Sequence, residues 1–70
     1  PTILNAANEV AVAGFLAGTL NFTEIAGMVA HALDMQTELA TPFDPTVLED
    51  LDACDKKTRH FCSELIKRKI

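Results

Sequence analysis

The stretch ILNAANEVAVAGFLAG, Ile3 to Gly18, decides the fold. Placed on a helical wheel at about 100° per residue, Ile3, Leu4, Ala7, Val10, Ala11, Gly14 and Phe15 share one broad face. Ala7, Ala11, Gly14 and Gly18 form a line of small side chains along its centre, a surface that lets another helix approach closely. Gly18 suits the position just past a helix end. The periodicity therefore predicts a helix over about 3–17. Its other side is not simply polar: Asn5, Asn8 and Glu9 are accompanied by Val12 and Leu16. A helix that is apolar nearly all round is buried nearly all round. On that reading this helix is central, and its three polar side chains need partners other than water. We expect them to bond neighbouring backbone or side chains, Arg59 among them, or a part of a longer chain that precedes Pro1.

Two more segments carry helical period. The first runs over about 22–35, with Asn21 and Glu24 spaced as a capping box and Leu20 placed to staple onto Ile25. Ile25, Met28, Val29, Ala32 and Leu33 make its apolar face, opposite Glu24, Gly27, His31 and Asp34. The stretch 36–45 reads as a loop, with Pro42 and Pro45 as helix breakers. The last helix is expected over about 47–69. Asp44 and Pro45 suit its cap and first position, and Thr46 with Glu49 offers an alternative box. Val47, Leu51, Cys54, Thr58, Phe61, Cys62, Leu65 and Ile66 keep to one face. Acidic residues near its start and Lys67 to Lys69 at its end match the helix dipole. The expected architecture is all-α: one domain over 1–70, a three-helix bundle. Two one-sided helices do not cover a central one, so a further helix, a second copy or another domain should complete it.

The balance of residues narrows the function classes. Residues 1–55 hold nine carboxylates and no Lys or Arg, and all six basic residues follow. An acidic body is a poor partner for a phosphate backbone, so nucleic acid is not expected. The longest uncharged stretch, Val10 to Thr23, is too short and too rich in small residues to span a membrane. The chain starts with Pro and carries no signal-peptide pattern, and we read it as a piece of something longer. Cys54 and Cys62 lie eight residues apart on one helix, roughly 12 Å along its axis. That is too far for a bridge, so both are expected to be free buried thiols. A core of this size supplies only about 3–5 kcal/mol of net stability.

Three constellations could carry chemistry, and each has a plainer reading. His31 with Glu24 and Asp34 could ligate a metal, but all three lie on the polar side of the second helix, where solvent suffices. His60, Ser63 and Glu64 superficially suggest a base and a nucleophile, but they are neighbours on an exposed helix face with no cleft. The run Glu49, Asp50, Asp52, Asp55 lacks the loop and the glycine of a calcium site. Asp55 stands apart from the rest of that run. It borders the apolar stripe one turn from Arg59, a spacing that suits an ion pair. No catalytic, metal or cofactor residue is expected in the chain. Asn5, Asn8, Glu9, Asp55 and Arg59 are expected to form a structural polar cluster.

LNAANE at 4–9, AGFLAG at 13–18 and FTEIA at 22–26, in this order and spacing, resemble the C-terminal helical domain of 1-deoxy-D-xylulose 5-phosphate reductoisomerase. VLEDLDA at 47–53 is similar to the start of that family's closing helix, with Asp52 at its acidic position. Lys56 and Asn21 depart from it, standing where the family often has Arg and another basic residue. The resemblance implies a parent enzyme that isomerises 1-deoxy-D-xylulose 5-phosphate and reduces the product to 2-C-methyl-D-erythritol 4-phosphate. It implies NADPH and a divalent Mg, Mn or Co ion, bound by domains that precede this one. It also implies a cytoplasmic bacterial homodimer in the non-mevalonate route to isoprenoids. The helical domain would be packing support, inactive alone. The rival readings from residues are a free-standing helical interaction module and, less favoured, a small acidic enzyme using His31 or His60.

Overall fold

A computed structural model describes residues 2–40 and 46–68. Four helices follow one another: α1, Thr2–Leu16; α2, Phe22–Asp34; α3, Gln36–Ala40; and α4, Leu48–Lys67. No strand occurs among the described residues. α1 and α2 lie within one residue of the expected 3–17 and 22–35, and α4 starts one residue after its expected start at 47.

The end of α1 is closed as its sequence requires. Gly18 adopts φ +83°, in the left-handed region where a side chain would be strained. With that turn made, the Thr19 N–H reaches the Gly14 carbonyl at 2.8 Å and the Gly18 N–H reaches the Phe15 carbonyl at 3.1 Å, the paired bonds of a Schellman motif. The Thr19 hydroxyl donates a third bond, 3.0 Å, to the same Gly14 oxygen. Leu20 is buried directly after the turn, and α2 starts at once. There the Asn21 N–H donates to Glu24 Oε1 at 2.9 Å, the capping-box bond that the spacing of these two residues predicts.

The core is built from small side chains. Ala6, Ala7 and Ala11 of α1 are fully buried, and so is Ala32 of α2. The largest fully buried side chains are only Met28, Thr58 and Cys62. Of the predicted small-residue line, Ala7, Ala11 and Gly14 face inward, and Gly18 lies in the exposed turn beyond the helix. A Cβ at Gly14 would lie 3.1 Å from Ile66 Cδ1, so α4 closes onto α1 at a point where even a methyl group makes the Ile66 side chain give way. α1 packs against both α2 and α4, as a central helix should. Thr58, polar and fully buried, returns its hydroxyl to the Cys54 carbonyl at 2.8 Å and leaves nothing unsatisfied. Cys54 and Cys62 are buried free thiols, as expected.

Four expectations are corrected. First, α1 is not covered all round: Leu4, Val12, Phe15 and Leu16 are 38–77% exposed, and Asn5, Asn8 and Glu9 face solvent with them. The wheel says which residues share a side, not whether a neighbour sits there. Second, the expected loop contains α3. Met35 alone separates it from α2, and the Leu39 N–H returns to the Met35 carbonyl at 3.0 Å. Leu39 is buried, seven residues after Ala32 and so on the same helical side, which is the signal that a five-residue element offers. Third, the cap position of α4 falls to Val47, in extended conformation and with no side-chain cap bond, one residue after Thr46. The alternative cap at Asp44 and Pro45, the breaker at Pro42 and the helix end at Lys69 lie outside the described residues. Fourth, the bundle has four helices, because α3 bridges α2 and α4.

Candidate functional site

Two features stand out once the helices are assembled: an ion-paired seam between α1 and α4, and an apolar groove between α1 and α2.

The seam is organised by Arg59. Its Nε donates to Asp55 Oδ2 at 2.8 Å, one turn back on α4. Its Nη2 donates to Glu9 Oε1 at 2.6 Å, across to α1 and fifty residues away in sequence. The planar fork of an arginine can serve two carboxylates in different directions at once, which lysine cannot do with fixed geometry. The Asp55 bond first, and then the Glu9 bond, raises the guanidinium pKa above its already high ordinary value. The side chains are well exposed, so water and salt screen both pairs and their contribution to stability is small. Their larger effect is positional: they fix the rotation of α4 against α1. Of the five residues of the expected polar cluster, the structure joins Glu9, Asp55 and Arg59. Asn5 and Asn8 lie apart from that network, on the exposed flank of α1.

The groove runs between α1 and α2, which are antiparallel neighbours joined by the turn at 17–21. At one end Leu4 and Leu33 line a common hollow with Cys54. In the middle, Asn8 lines a hollow of about 460 Å³ with Phe22, Ile25, Val29 and Leu33. At the other end the Phe15 and Phe22 rings meet edge to face, centroids 5.9 Å apart. The lining from Leu4 to Phe22 carries no charge, and Asn8 supplies a carboxamide in its midst. Val12 and Leu16 extend the apolar flank beyond it. Sequence reasoning placed these residues on α1 and α2 correctly but buried those of α1.

The structure brings the constellations considered for catalysis together only in part: His31 with Glu24, and His60 with Glu64. Among the described residues no group of three or more His, Cys, Asp or Glu side chains is placed to hold a metal ion. His31 borders a shallow depression with Thr23, Glu24 and Gly27 and is exposed. Glu64 is engaged by Lys67 Nζ at 3.2 Å, which lowers its pKa below the ordinary value, and Ser63 is exposed. His60 lines an open groove between α3 and α4 together with Glu64, Glu38, Phe61 and Arg68. In the acidic run, Asp52 pairs with Lys56 at 2.9 Å and Asp55 pairs with Arg59, each with a cation one turn on. Among the described residues no helix is long and apolar enough to cross a membrane.

The chain was compared with known proteins. The family model of the DXP reductoisomerase C-terminal domain matches residues 1–61. Similar curated proteins, each named 1-deoxy-D-xylulose 5-phosphate reductoisomerase, come from several bacteria. That of Geotalea daltonii is 42% identical over 67 residues, covering 96% of this chain and 16% of the relative. That of Lawsonia intracellularis is 45% identical over 65 residues, covering 93% and 15%. That of Thermomicrobium roseum is 40% identical over 70 residues, covering 100% and 17%. The chain thus spans about one sixth of the length of these relatives. No solved structure matches it significantly.

Proposed function

Because the chain belongs to the family of DXP reductoisomerase C-terminal domains, we propose that it serves as the C-terminal structural domain of a 1-deoxy-D-xylulose 5-phosphate reductoisomerase. The observation that carries this is the family match over residues 1–61, joined to a fold whose polar side chains pair with one another instead of converging on a cleft. The parent enzyme isomerises the carbon skeleton of 1-deoxy-D-xylulose 5-phosphate. It then reduces the aldehyde with NADPH to 2-C-methyl-D-erythritol 4-phosphate, a step of non-mevalonate isoprenoid synthesis in the bacterial cytoplasm. NADPH and a divalent Mg, Mn or Co ion belong to the domains that precede this one. The residues described here do not fit the metal, since no carboxylate or histidine group of the right size assembles. On this reading the catalytic steps fall to the preceding domains.

Its own residues do something else. The Glu9–Arg59–Asp55 network holds α1 and α4 in one register, and the small-residue contact at Gly14 brings them close. The result is a stiff helical block, a support against which upstream catalytic domains of the same chain pack, in a parent that assembles as a homodimer.

The test is turnover measured on two proteins: the full-length product of the parent gene and the 70-residue chain alone. The full-length protein should oxidise NADPH in the presence of 1-deoxy-D-xylulose 5-phosphate and a divalent metal, and the isolated chain should not. A full-length protein without that activity would refute the assignment.

A further inference from the structure

We draw no further inference here: the strongest candidate, the groove between α3 and α4 with Leu39, Phe61 and Leu65 in its lining, sets Lys57 and Arg68 against Glu38 and Glu64, so charge selects no occupant, and nothing in the structure shows what covers it.

Discussion

Gly14→Ala sets two local effects against each other, and their balance can be worked from the contacts. Alanine in place of a helical glycine is worth about 0.5–1 kcal/mol through the entropy of the unfolded chain. The added Cβ meets three atoms closer than ordinary contact: Ile66 Cδ1 at 3.1 Å, Thr19 Oγ1 at 3.2 Å and Leu20 Cδ1 at 3.3 Å. The two methyl groups end flexible side chains and can give by a few tenths of an ångström. Thr19 Oγ1 is held by its 3.0 Å bond to the Gly14 carbonyl, and moving it sacrifices that bond. A hydrogen bond of this kind contributes about 0.5–1.5 kcal/mol. The net effect in the native sequence is therefore between a gain of about 0.5 and a loss of about 1 kcal/mol. In a Thr19→Ala background the opposing bond is already gone, and Gly14→Ala should stabilise by its full 0.5–1 kcal/mol, roughly. Urea unfolding of the four variants, followed by circular dichroism, measures the cycle as changes in midpoint at constant slope. The expected coupling is about 0.5–1.5 kcal/mol. Equal effects of Gly14→Ala in both backgrounds would refute the reasoning.

Ala11→Leu should destabilise the chain by about 1–3 kcal/mol, because Ala11 is fully buried where α1 meets its neighbours. A thermal midpoint unchanged by that substitution would mean that the small-residue line is not a close contact. The isolated chain, with its apolar groove uncovered, should self-associate as its concentration rises, and sedimentation that finds a strict monomer at high concentration would contradict this. Alkali should weaken the fold. Burial holds the Cys62 thiol above its ordinary value near 9, so the unfolded chain ionises first and stability falls as pH rises past that value. Lys56, raised from 10.5 by its bond to Asp52, acts in the same sense at higher pH, since the folded form keeps its proton longer. A urea midpoint that climbs between pH 8 and pH 10 would contradict the sign.

Particular residues show what the sequence could and could not convey. The inward line of Ala7, Ala11 and Gly14, the left-handed Gly18 and the Asn21–Glu24 bond are all local: each follows from spacing along one helix or turn. The Arg59 contact with Glu9 was legible for a different reason. A cation on one apolar-edged helix and a carboxylate on another leave few satisfactory arrangements. What was not legible depended on neighbours. Leu16 and Val12 are apolar in sequence whether or not anything covers them, so the wheel could not reveal an open flank. α3 was missed because five residues hold too little period to be distinguished from a loop, and its anchor, Leu39, acts through tertiary burial. Val47 stands at the cap of α4 although Thr46 beside it has the better capping chemistry, and composition alone does not set a helix start to the residue.

The bond between positions 9 and 59 has a consequence for how the chain reaches its fold. α2 finds α1 by closing a turn of five residues, 17–21, whereas α4 must find it across fifty. The entropy of closing a loop grows with the logarithm of its length, so the longer search costs about 2 kcal/mol more. The α1–α2 hairpin therefore has the head start, and docking of α4 sets the pace. Until α4 arrives, Ala7, Ala11 and Met28 have lost one wall of their core. The half-built state exposes apolar surface on two sides at once, and the time spent there is governed by how quickly α4 closes its long loop.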